Sequence, residues 1–291
     1  MDNELHPDIK TKGQKDEQII AETLMGLAGT GVDPFALAPA TPEIYVQPPE
    51  LAALKQAIKD GKTAVITGPL GIGKTALCEE ITRELKRESL GSDATNQIVP
   101  VFLKGAAYNK TDDFIRGILT ELALDTDKER AELLSIILRW PDEHPERLVI
   151  VVDDSSESGA NVGELGELLR VIADIPRMAL VLNGEPKSMQ KFLEHNPPLR
   201  DRIQAEIKLR PMTPDESKEM ITKRAKRHGV EYFINADAFD ELYKLSKGVP
   251  RAALKAASKA FELARKEGKP IDKKLVKRAN HVSFWVRLFR R

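Results

Sequence analysis

A chain of 291 residues, 41% hydrophobic and 31% charged, has room for one sizeable α/β core with a smaller satellite, and its composition excludes a fibrous, collagen-like or low-complexity protein. Cys78 is the only cysteine, which excludes an internal disulfide and fits a reducing cytoplasm; no apolar run is long enough for stable membrane insertion, and the acidic N-terminus lacks the basic-then-apolar order of a signal peptide. The net charge is zero but unevenly placed: from Lys247 to the C-terminus fourteen basic residues face three acidic ones, a local +11 that predicts an anionic partner for that end.

In chain order, residues 1–44 read as an N-terminal segment: polar and without order of its own at first, with a short amphipathic helix over 16–27 carried by Ile19, Ile20, Leu24 and Leu27, then a loop over 29–39. Pro34-Phe35-Ala36-Leu37 forms an apolar plug in that loop, either packed near a nucleotide base or part of an ordinary linker. Pro48 and Pro49 open a helix over 50–59 that ends at Gly61.

An apolar strand from Thr63 then breaks into Gly68-Pro69-Leu70-Gly71-Ile72-Gly73-Lys74-Thr75, and Ala76 leads on into helical sequence. Such a loop lets successive backbone N–H groups point inward and cradle phosphate, with the helix N-terminus aimed at the anion. Lys74 reaches the β- and γ-phosphates and the Thr75 hydroxyl ligates Mg²⁺, so ATP and Mg²⁺ are the expected cofactors. A second strand is expected over 98–103 and helices over 112–124 and 128–138, closed off by Trp140, Pro141 and Pro145.

The run from Arg147 to Asp154 is apolar for five residues and ends in paired carboxylates, the pattern of a strand buried on both faces. Asp153 is expected to hold Mg²⁺ through water and Asp154 to orient or deprotonate the attacking water; the plainer alternative is that both cap a following helix. A helix over 163–173 leads to the strand 178–183, ending at Asn183, and Arg200 and Arg202 precede a fifth strand over 205–209. Past Pro211 no strand signal returns: a capping box at Thr213 and Glu216 opens a helical region with helices over 215–228, 236–246, 251–267 and 272–280. The reading is thus an α/β core over 45–210 with a five-stranded parallel sheet, a helical lid over 211–281, and a basic aromatic tail over 282–291.

This order of motifs resembles AAA+ ATPases over about residues 45–267, and within them the initiator clade of origin-recognition and transposition-regulator ATPases. The resemblance implies hydrolysis of ATP that drives a conformational or assembly change. Asn183 would be the sensor-1 residue at the γ-phosphate. Arg251, in Gly248-Val249-Pro250-Arg251, would be the sensor-2 arginine of the lid. Arg202 would be the arginine finger completing a neighbour's site, with Arg200 the alternative, which implies a homo-oligomer with shared ATP sites. The sequence departs from the family pattern at Asp154, where glutamate is usual; Asp-Asp also resembles the STAND ATPases, which hold nucleotide as a slow switch. A second departure is that the two dozen residues after Gly268 are too few for the winged-helix domain with which origin initiators grip DNA. Three outputs follow: a DNA-associated ATPase using the basic C-terminal region, a slow switch, or an ATPase that remodels a protein partner recognised by the tail at Phe284–Arg291.

Overall fold

The computed structural model describes residues 32–38, 41–90, 93, 97–157 and 159–288, with side chains beyond His281 outside the description. The helix expected over 16–27 and the end of the tail, 289–291, therefore lie outside the described residues. Two compact units divide the chain, Gln47–Arg210 on one side and, among the described residues, 32–38 and 41–46 together with the chain from Pro211 on the other.

The first unit carries the five-stranded parallel sheet expected from the sequence. In chain order it contains α1 (Glu50–Lys59), β1 (Thr63–Thr67), α2 (Lys74–Ser89), β2 (Ile98–Lys104), α3 (Thr111–Glu121), α4 (Arg130–Glu143), β3 (Arg147–Asp153), α5 (Val162–Ala173), β4 (Met178–Gly184), α6 (Pro186–Glu194), the short α7 (Pro197–Arg200) and β5 (Ile203–Lys208). The strand order is β2-β3-β4-β1-β5. Central β3 and β4 are buried almost end to end, which their unbroken apolar sequence requires once helices cover both faces. Pro100 falls in β2, where an edge strand tolerates the missing N–H donor, and β5, the other edge, alternates inward Ile203, Ala205 and Ile207 with exposed polar residues.

The helix expected to end at Leu138 instead runs through Pro141 to Glu143. Trp140 supplies the reason: it is buried, its ring lies 3.7 Å from that of His144 and nearly parallel to it, and its carbonyl accepts the His144 N–H at 2.9 Å. A last turn anchored this way offsets the bond lost at the proline.

The second unit is helical, with α8 (Pro214–Arg227), α9 (Ala236–Ser246), α10 (Pro250–Glu267) and α11 (Lys273–Leu288). The capping box forms as the sequence suggested: the Thr213 hydroxyl accepts the Glu216 N–H at 3.2 Å and Glu216 Oε2 accepts the Thr213 N–H at 2.7 Å. The backbone of α11 stays helical to Leu288, past the residue 280 at which the sequence suggested it would stop. Residues 32–38 and 41–46 belong to this unit and pack against it. Phe35 is fully buried in its apolar core with Val46, and lies edge-to-face on Phe261 at 6.0 Å. Ser258 donates to Asp33 at 2.6 Å, and buried Arg224 donates to the carbonyls of Ala36 at 3.1 Å and Ala38 at 3.4 Å. Phe35 thus fills the core of the helical unit, which answers the open choice between base contact and linker with a third arrangement.

Candidate nucleotide site

Parallel strands bring their C-terminal ends to one edge, and the register sets who meets there: Ile66 of β1 pairs with Asn183 of β4, and Lys104 of β2 with Asp153 of β3. Beyond Thr67 the chain turns through the glycine loop into α2. Gly73 caps that helix with φ 111°, a left-handed backbone that a side chain would strain. The first helical bond, from the Leu77 N–H to the Gly73 carbonyl at 2.9 Å, leaves the N–H groups of Lys74, Thr75 and Ala76 without helical acceptors, a ready anion site. Leu70 at the loop's tip is 66% exposed, while Ile72 is buried and anchors the turn.

Lys74 folds back along the loop and is buried, donating to the Gly68 carbonyl at 2.9 Å and more weakly to that of Pro69 at 3.5 Å. The Thr75 hydroxyl donates to Asp153 Oδ1 at 3.0 Å. Asn183, fully buried, donates to the same oxygen at 2.6 Å, and its Oδ1 accepts the Asp154 N–H at 2.9 Å. Asp154 sits at φ 49°, a left-handed position that aspartate tolerates better than most residues. The Ser155 hydroxyl closes the turn by donating to the Asn183 carbonyl at 3.1 Å. Glycine loop, Asp-Asp turn and Asn183 thus form one hydrogen-bonded constellation, in which Asp153 accepts from both Thr75 and Asn183.

Arg202 and Arg251 stand outside this constellation. Arg202 precedes β5 at the opposite edge of the sheet, its guanidinium paired bidentately with Asp174 at 2.8 and 3.1 Å, and Asp174 also accepts from Arg170 at 2.8 Å. Arg200 is exposed. Arg251 is exposed in the first turn of α10, within the helical unit. The residues before it have structural duties: Gly248, at φ 75°, approaches Met212 so closely that a Cβ would lie 2.3 Å from the Met212 carbonyl, and Pro250 starts the helix. Among the described residues, the Arg251 side chain makes no hydrogen bond or ion pair.

Two further residues at this edge escaped the sequence reading. Cys78 receives a hydrogen bond from Asn183 at 2.9 Å; its position three residues beyond Thr75 was the available signal. Glu79 is half-buried, and burial pushes its carboxyl above the ordinary carboxylate range, with Lys104 opposing the shift and the Asp153 charge adding to it. A raised folded-state value makes the ionised form a cost to the fold, absent below the unfolded-state pKa and complete above the folded one. Glu79→Gln is therefore expected to raise the melting temperature at pH 8 and to leave it unchanged at pH 4, a comparison made by thermal melts in matched buffers.

A parallel sheet in this order, with a glycine loop between β1 and α2, defines the P-loop nucleoside-triphosphatase fold. Residues 58–193, a little under half of the chain, match the family model described as an AAA domain. Over 254 residues it is 24% identical to an uncharacterized HTH-type transcriptional regulator of Methanocaldococcus jannaschii, covering 75% of this chain and 62% of that protein. Over 248 residues it is 25% identical to the Holliday junction branch migration complex subunit RuvB of Anaeromyxobacter, covering 80% and 64%. Among solved structures, the Aeropyrum pernix ORC2 protein in ADPNP–ADP complexes aligns with TM-score 0.65 at 17% identity, over 84% of this chain and 70% of that one, a likeness of fold. The chain spans less than two thirds of these two curated relatives.

Proposed function

We propose that this chain binds ATP with Mg²⁺ and hydrolyses it in association with DNA, using the cycle to drive a conformational or assembly change. The observation that carries this reading is the convergence of Lys74, Thr75, Asp153 and Asn183 around the end of β1. The donor set suits the metal: a hydroxyl and a carboxylate are hard oxygen ligands, and Mg²⁺ takes one or two from protein while phosphate and water supply the rest. Among the described residues no cluster of three or more His, Cys, Asp or Glu offers a soft or all-protein metal cage. Mg²⁺, when bound, neutralises charge on the transferred phosphoryl group.

The chain's own residues do the positioning. N–H groups of the loop and of Lys74, Thr75 and Ala76 hold the phosphates, and the Lys74 ammonium offsets their charge. Asp154 orients the attacking water, and Asn183 fixes Asp154 through its backbone N–H. The roles of Arg202 in a neighbouring site and of Arg251 at the nucleotide rest on the family resemblance. For Arg202 to act in trans, it must exchange Asp174 for the neighbour's phosphate.

DNA enters through the charge of the C-terminal region and through relatives named for transcription regulation and junction migration. Duplex DNA is expected to stimulate ATP turnover, with binding that weakens steeply as salt rises from about 50 to 200 mM; binding that is absent or indifferent to salt sinks the DNA part of the reading. Mixing Arg202→Ala with Lys74→Ala protein is expected to restore turnover that neither variant shows alone, because one intact finger then faces one intact loop. A second reading has its own observation: Asp154 is a residue shorter in reach than the usual glutamate and sits on a left-handed backbone, which favours a slow STAND-like switch. Nucleotide that co-purifies with negligible turnover is the outcome that selects it.

A further inference from the structure

One partner of Asn183 has no place in the nucleotide chemistry described so far. The side-chain amide makes three hydrogen bonds, to Asp153 Oδ1 at 2.6 Å, to Cys78 Sγ at 2.9 Å, and from the Asp154 N–H at 2.9 Å. Together they leave one satisfied orientation. Turned by half a revolution, the amide would set its oxygen against the Asp153 carboxylate and its N–H against that of Asp154.

A primary amide carries two N–H hydrogens. Asp153 takes one, and at a position with no solvent exposure the second must find a protein acceptor or cost about 1–3 kcal/mol. Cys78 is that acceptor. It lies on α2 three residues after Thr75, so the helix that presents Lys74 and Thr75 to phosphate also presents this sulfur to β4. Cys78 is itself fully buried, and desolvation pushes its thiol well above the ordinary range, with Asp153 and Asp154 adding to the effect against the Asn183 hydrogen bond. The group is therefore a neutral, polarizable acceptor and not a second anion beside Asp153.

We infer that Cys78 is a positioning residue for ATP hydrolysis, acting through Asn183: its sulfur takes the second amide hydrogen and holds the amide plane between Asp153 and the Asp154 N–H. The inference rests on reading this site as an ATPase site. Cys78 itself touches no reacting atom. Its removal leaves the phosphate loop intact but strands one buried amide hydrogen without an acceptor and weakens the hold on the amide plane, so nucleotide binding survives while the water-orienting turn is less firmly braced.

The test is steady-state ATP hydrolysis with Mg²⁺ by the full chain, comparing wild type, Cys78→Ala, Cys78→Ser, Asn183→Ala and the Cys78→Ala/Asn183→Ala double variant. Cys78→Ala is expected to lower kcat roughly 10-fold, the scale of losing a supporting hydrogen bond behind a functional group, with KM for ATP changed less than about twofold. Cys78→Ser, which keeps an acceptor, should recover most of that loss. The double variant should be no slower than Asn183→Ala, because the thiol acts only through the amide. If Cys78→Ala melts below the assay temperature, Cys78→Val replaces it: it fills the site without an acceptor and should show the same loss. A wild-type rate in the alanine or valine variant, a serine variant as slow as alanine, a change confined to KM, or losses that multiply in the double variant would overturn the inference and leave the ATPase reading standing. A wild-type chain without turnover, or an Asn183→Ala variant as fast as wild type, removes the reading of the site and the inference with it.

Discussion

Lys74→Ala is expected to lower kcat/KM for ATP by about 10²–10³-fold, the loss measured when one preorganised charge-stabilising group leaves a site, while raising or preserving thermal stability. The two signs come from one fact. The Lys74 ammonium is buried against the carbonyls of Gly68 and Pro69, and among the described residues it makes no ion pair. Carbonyl dipoles offset only part of the cost of keeping a cation out of water, so the protein alone leaves the charge undercompensated. Triphosphate supplies the missing anion. Removing the ammonium relieves the apo fold and leaves the phosphates without their counter-charge. Lys74→Arg is expected to fail as well, because a planar fork does not fit a site built for a point charge beneath a tight loop. Phosphate release, binding of a non-hydrolysable ATP analogue and thermal melts of the same preparations check all three statements; a Lys74→Ala variant with normal turnover, or with a melting point many degrees lower, contradicts the argument.

The core was legible because its determinants are local. Four apolar runs and one segment that alternates apolar with polar residues give five strands, and the glycine loop, the Asp-Asp pair and Asn183 all lie at strand ends that a parallel sheet must gather on one edge. What stayed hidden depends on contacts between residues distant in sequence. The three-residue spacing from Thr75 puts Cys78 on the same face of α2, but nothing local says that it will meet Asn183, 105 positions away. Trp140 reads as a terminator beside Pro141, yet its stacking on His144 carries α4 past the proline. Residues 32–46 were misleading for a related reason. Their proline and alanine content is that of a loop, but Phe35 is an apolar anchor whose socket is built from helices some two hundred residues further on.

That socket sets a large expected stability effect. Phe35→Ala should destabilise the helical unit by about 3–5 kcal/mol, the usual cost of emptying a fully buried aromatic position. The ring is 0% exposed and set edge-to-face on Phe261, and the backbone carbonyls of Ala36 and Ala38, which follow it, are tied to α8 through Arg224. Loss of the ring therefore costs its buried area and the aromatic pair, and it loosens the strap that gives the buried guanidinium its acceptors. For a unit of this size a loss on that scale lowers the melting temperature by more than about 10 °C. The α/β core has its own apolar cluster, which contains neither Phe35 nor Phe261, so its unfolding transition and its affinity for an ATP analogue should be unchanged. Phe35→Leu, which keeps most of the volume, should cost less than half as much. Calorimetry resolves the two transitions, and limited proteolysis shows which unit opens first. A Phe35→Ala protein whose helical transition moves by only a degree or two would mean that residues 32–38 and 41–46 lie on the unit without helping to hold it together.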